Sequence, residues 1–94
     1  IYSDIGFKEE YYHLLDVVRD RNPDAQLISL TPFCGALAEE ILEVVTRFNK
    51  ERQDHIFYIN TKGWIPPEPL HPTREGNKTV ARNLSAILRD AFDL

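Results

Sequence analysis

The chain has 94 residues, with Lys+Arg 11 against Asp+Glu 15 and a formal net charge of −4. That mild acidity argues against the clustered basic surface that nucleic acid or an anionic membrane requires, and no apolar run approaches the ~18–20 residues of a membrane span. A hydrophobic fraction of 43% supports a packed core, while the single cysteine, Cys34, excludes both a disulfide scaffold and a thiolate zinc site.

The first predicted element is a helix from Phe7 to about Arg21. Phe7, Tyr11, Leu14, Leu15 and Val18 recur at helical spacing and form one apolar stripe. Asn22-Pro23-Asp24 ends it, because proline disfavours helical geometry in the residue before it. Leu27 to Thr31 is short and mostly apolar and reads as a buried strand, with Pro32 and Gly35 marking its exit. A second helix is expected from about Gly35 to Lys50, its stripe made by Leu37, Ile41, Val44, Val45 and Phe48. Glu39, Glu40 and Glu43 near its start and Arg47 and Lys50 near its end complement the helix dipole.

Ile56 to Asn60 is rich in β-branched and aromatic residues and reads as a second strand. The stretch from Thr61 to Pro72 holds Gly63, Trp64 and four prolines, so a stiff extended loop is expected there. Thr73 suits the N-cap of a last helix running to about Ala91, with Val80, Leu84, Ile87, Leu88 and Ala91 as its stripe. Helices alternating with strands imply parallel pairing through right-handed crossovers. Two parallel strands make a poor sheet by themselves. The expectation is therefore that more sheet is supplied by a preceding segment, a companion chain or a second copy. The chain contains no Met, including at position 1, which fits a processed or excerpted sequence.

Ligands of open parallel sheets gather at the carboxyl ends of the strands. Two loops occupy that edge: Pro32-Phe33-Cys34 and Thr61–Pro72. Of three histidines, His13 falls on the polar side of the first helix and His55 at the amino end of a strand. His71 alone falls at the carboxyl edge, between prolines. Imidazole is the natural general base near neutral pH. Glu68, three residues earlier, is the nearest carboxylate able to orient it. Trp64 could stack on a sugar or line an acyl pocket; packing the loop onto the sheet is the commoner use of such a residue. Arg74 could attract an anionic substrate, or serve only as a solvated charge. Cys34 could pair with His71 as a thiol dyad, although a lone cysteine is more often a small buried hydrophobe. Glu68 and His71 alone are too few ligands for a metal site. Asn77-Lys78-Thr79 and Asn83-Leu84-Ser85 both match the N-glycosylation acceptor pattern, which is compatible with secretion.

The run Glu68-Pro69-Leu70-His71-Pro72-Thr73-Arg74-Glu75-Gly76-Asn77 resembles the last motif block of the SGNH (GDSL-type) hydrolases. That block reads Asp-x-x-His-Pro, then a Gly, then an amphipathic helix. Asn22-Pro23-Asp24-Ala25 with Leu27–Pro32, and Phe57–Trp64, are similar to the steps before it, so the likeness spans the chain. It implies a three-layer, flavodoxin-like α/β fold. The 94 residues would be the C-terminal portion of a single SGNH-hydrolase-like domain, with two parallel strands and three helices. It also implies a carboxylic ester hydrolase with a Ser-His-acid mechanism, in which His71 is the general base and Glu68 the orienting acid.

Two departures stand out. The acid is Glu and not Asp. The nucleophile block Gly-Asp-Ser and the oxyanion block Gly-x-Asn-Asp do not occur in these 94 residues, and Ser3 lacks the strand-to-turn setting of a family nucleophile. The missing N-terminal segment, or a companion chain, would supply them. The implied substrate is an ester, acylated carbohydrate being one class among microbial members, and no cofactor is implied. The rival reading is a non-catalytic fragment acting in assembly or binding through its open sheet edge.

Overall fold

In the computed structural model, which describes residues 4–65 and 74–93, the chain order is helix, strand, helix, strand, helix. Helix α1 spans Asp4–Arg21, strand β1 Ile28–Leu30, helix α2 Ala38–Arg52, strand β2 Phe57–Ile59 and helix α3 Arg74–Phe92. The two strands pair in parallel, with Ile28 opposite Phe57, Ser29 opposite Tyr58 and Leu30 opposite Ile59. The result is an α/β unit with three helices and a two-stranded parallel sheet.

Side chains alternate across a strand, and that alternation sorts the helices. Ser29 and Tyr58 share one face. Ser29 Oγ lies 2.6 Å from the Tyr11 hydroxyl of α1, and the Tyr58 hydroxyl donates to the Ala38 carbonyl of α2. Burial pushes the Tyr58 hydroxyl above its ordinary pKa, because the charged phenolate would lose its hydration there. Phe57, on the other face, meets Phe92 of α3 edge-on, with ring centroids 5.3 Å apart.

The core lies between α1, α2 and the sheet. Leu15, Ile41, Val44, Val45, Phe48 and Ile56 form it, with Phe7, Tyr11, Tyr12, Leu27, Leu37 and Tyr58 packed around. Four of the five stripe residues expected on α2 are buried. Each such side chain contributes about 1.5–3 kcal/mol on leaving water. Lys8–Glu43 at 2.7 Å and Arg52–Asp16 at 2.8 Å tie the outer margins of α1 and α2 together. Arg47 adds its guanidinium over the Tyr12 ring, 4.2 Å from the centroid.

Three expectations need correction. Helix α2 starts at Ala38 and not at Gly35, because Gly35 (φ 81°) and Leu37 (φ 61°) both take left-handed backbone. Two successive turns use the intervening chain: Gly35 N donates to the Pro32 carbonyl, and Ala38 N to the Gly35 carbonyl. Strand β1 is not buried on both faces. Ile28 is 38% exposed and Leu30 45%, whereas Ser29 between them is covered. α1 and α2 cover only the Ser29 face. Leu14, placed on the α1 stripe by spacing, is 52% exposed and stays outside the core cluster.

Candidate functional site

The carboxyl edge of the sheet is held by two threonines that follow the strands. Thr31 N donates to the Ile59 carbonyl at 3.1 Å and extends the ladder by one bond. Beyond it, Thr61 N donates to Thr31 Oγ1 at 2.9 Å, and Thr61 Oγ1 donates to the Thr31 carbonyl at 2.7 Å. Both side chains are buried. Side chains thus replace the next rung where the chains diverge, which satisfies backbone groups that would otherwise be orphaned. Asn60 adds its side chain: Oδ1 accepts from Thr31 Oγ1 and from Lys62 N.

From this clamp the chain turns sharply. Trp64 N donates to the Thr61 carbonyl at 3.1 Å, and Gly63 between them has φ 83°, a backbone that glycine takes without steric cost. Trp64 is half-buried. Next to the turn, the Lys62 stem lies over Gly35. A Cβ on Gly35 would fall 2.6 Å from Lys62 Cδ. Gly35, Leu37, Ala38, Glu39, Glu40, Asn60 and Lys62 line an open cleft of about 340 Å³ at the start of α2. The helix enters through left-handed Leu37 without a side-chain cap, so Glu39 and Glu40 in its first turn meet the positive end of the helix dipole.

The sequence-derived candidates divide as follows. His71 and Glu68 lie outside the described residues, as does Thr73. Trp64 lies at the carboxyl edge, in the turn after β2. Cys34 is on the same edge, after β1. It is exposed, which corrects the expectation of a small buried hydrophobe; the left-handed turn at Gly35 carries it outward. Arg74 is an exposed residue opening α3. His13 and His55 are both exposed, His55 just ahead of β2 at the opposite edge.

That opposite edge holds the larger cavity, about 600 Å³, whose lining includes Asp16, Arg19, Asp24, Arg52, Asp54 and His55. Its charges are largely occupied with each other. Arg19 grips Asp54 bidentately, Nε to Oδ2 at 2.7 Å and Nη2 to Oδ1 at 2.9 Å. Its Nη1 donates to the Asn22, Pro23 and Ala25 carbonyls. Arg19 therefore closes the turn between α1 and β1 onto the residue before His55. The Arg19 hydrogen bond and charge hold the Asp54 carboxyl below its usual range, and the His55 backbone N–H helps. Asn49 makes a similar clamp on Ile56, accepting its N–H and donating to its carbonyl. The amino edge is thereby held by two clamps, Arg19 on Asp54 and Asn49 on Ile56.

Among the described residues, no group of three or more His, Cys, Asp or Glu stands where it could hold a metal ion, and no helix is long and apolar enough to cross a membrane. No family model, curated protein or solved structure matches the chain.

Sequence reading passed over Thr31 and Thr61. The available signal was position: Thr31 directly follows the Ile28–Leu30 run and Thr61 comes one residue after the Phe57–Ile59 run, beyond Asn60. Arg19 and Asp54 gave no local signal, since they are thirty-five residues apart.

Proposed function

We propose that the chain carries the general base and the orienting acid of a carboxylic ester hydrolase of the SGNH (GDSL) type, His71 and Glu68, on a flavodoxin-like three-layer sheet. The observation that carries this reading is the block Glu68-Pro-Leu-His71-Pro with Gly76 downstream, joined to the flanks it requires. β2 is followed by the Thr61 clamp at the carboxyl edge, and α3 spans Arg74–Phe92. Gly76, the motif glycine, is the one buried residue among those described in α3. Glycine in a helix costs about 1 kcal/mol relative to alanine, and its burial in the first turn supplies a reason for that choice.

In this mechanism a serine supplied from outside these 94 residues attacks the ester carbonyl carbon. His71 accepts the serine proton as the new C–O bond forms, then donates it to the leaving alkoxide as the ester C–O bond breaks. Water repeats the sequence and releases the acid. Glu68 holds the imidazole tautomer and stabilises its cation. Trp64, half-buried in the turn after β2, is the residue proposed to meet the substrate, an acylated carbohydrate offering a ring face to the indole.

The test is hydrolysis of p-nitrophenyl acetate by the whole protein. His71→Ala is expected to lower kcat at least ~10³-fold with unchanged thermal unfolding. Unchanged activity removes His71 as the base.

A second reading, assembly through the sheet, is favoured by the exposure of Ile28 and Leu30 on β1 and by a flat outline of 39 × 38 × 20 Å. Apolar side chains on an unpaired edge strand invite association. Sedimentation of the wild type and of Leu30→Lys distinguishes it: a concentration-dependent mass lost in the variant supports assembly, and a monomer in both excludes self-association.

A further inference from the structure

Two triplets of the N-glycosylation pattern lie on α3, Asn77-Lys78-Thr79 and Asn83-Leu84-Ser85. We propose that Asn77 is an acceptor for an N-linked glycan and that Asn83 is not.

The two asparagines differ in exposure and in how firmly the helix holds them. Asn77 is exposed, in the first turn of α3. Asn83 is half-buried and shares a helix face with Val80 and Ile87, three residues back and four residues on, both half-buried members of the apolar stripe. A glycan is bulky and hydrophilic and belongs on a surface. At Asn77 it projects from the helix start into solvent. At Asn83 it would stand on the half-buried side of the helix, among Val80, Leu84 and Ile87.

Access to the transferase separates them further. An acceptor triplet must leave the helical conformation to be glycosylated. The ends of a helix open more readily than its middle, and Gly76, Asn77 and Thr79 are poor helix formers. The Asn83 triplet stands mid-helix, with full turns on either side. In the folded chain Thr79 Oγ1 donates to the Glu75 carbonyl at 3.1 Å, a local bond that a single opened turn releases.

The transfer forms a bond between Asn77 Nδ2 and the anomeric carbon of an oligosaccharide. The bond broken is that carbon's link to the phosphate of a polyprenyl-pyrophosphate-linked donor, the co-reactant. The lipid pyrophosphate leaves, and the amide gives up one proton. No oxidation or reduction is involved, and the proposal is independent of the esterase reading.

The experiment passes the whole protein through a eukaryotic secretory pathway, then removes N-glycans enzymatically in heavy-oxygen water. A glycosylated Asn becomes heavy-oxygen Asp, located by peptide mapping. Label is expected at position 77 and not at 83. Asn77→Gln and Thr79→Ala should each abolish the single glycan-dependent mobility shift, while Thr79→Ser, which keeps the triplet, and Asn83→Gln should retain it. Secreted protein without label at 77, or with label at 83, overturns the proposal.

Discussion

Thr61 and Thr31 exchange two hydrogen bonds that are ladder-like in position but half side chain in composition. The Thr61 hydroxyl donates to the Thr31 carbonyl at 2.7 Å, and Thr31 Oγ1 accepts the Thr61 N–H at 2.9 Å. Parallel strands whose chains must diverge into separate loops are thus kept paired one residue further than backbone geometry alone allows.

Replacing Thr61 by Val keeps shape and removes the hydroxyl. It leaves the Thr31 carbonyl without that donor in a buried setting, which costs about 1–3 kcal/mol. Urea unfolding of Thr61→Val is expected to show a lower midpoint with an unchanged m-value. Thr31→Val, which removes the acceptor for Thr61 N–H, should cost a similar amount. The double variant should cost less than the sum, because both changes act on one shared network.

The Arg19–Asp54 pair makes stability pH-dependent. The Asp54 carboxyl is held below its unfolded pKa, so its contribution is present above the unfolded value and is lost as pH falls through the folded value. Asp54→Asn is expected to be less stable than wild type at neutral pH, by about 1–2 kcal/mol. The gap should close as the solution is acidified below the ordinary carboxylate range. Chemical unfolding across a pH series checks both the sign and the window.

Gly35→Ala and Gly63→Ala test the two turns. Both residues have φ near +80°, where an L-residue is strained, so each substitution should destabilise by about 1 kcal/mol. They differ in surroundings. A Cβ at Gly63 meets nothing within 4 Å, whereas one at Gly35 collides with the Lys62 stem. The expected order of loss is Gly35→Ala above Gly63→Ala. Adding Lys62→Ala to Gly35→Ala should bring the two level, as read by thermal unfolding.

Phe48 is 1% exposed and anchors the α1–α2 core. Phe48→Ala should cost about 3–5 kcal/mol, a large share of the stability of a domain of this size. Calorimetry or urea titration should show most of the cooperative transition lost, and Phe48→Leu should retain more of it.

Glu68 offers a kinetic test of the proposed triad. Glu68→Gln should lower kcat on p-nitrophenyl acetate by ~10²–10⁴-fold. Glu68→Asp restores the acid found in the resembled motif and should keep most of the activity. Equal activity in Glu68→Gln and wild type assigns the orienting role elsewhere.

Local signals in the chain were enough to give the element order, the parallel pairing and the α2 stripe. Ile41, Val44, Val45 and Phe48 recur at helical spacing, and periodicity reports which residues share a face. The proposed acid and base, Glu68 and His71, rest on the motif and on the prolines around them. What tertiary structure alone decided is which faces find cover. Ile28 and Leu30 read as core by composition and are half exposed, because α1 and α2 pack on the Ser29 side of the strand. It also delayed α2 by three residues through left-handed Gly35 and Leu37, paired Thr31 with Thr61, and closed Arg19 onto Asp54 across thirty-five residues. Propensity and spacing act over a few neighbours. Exposure and pairing depend on segments that meet only after the chain has folded.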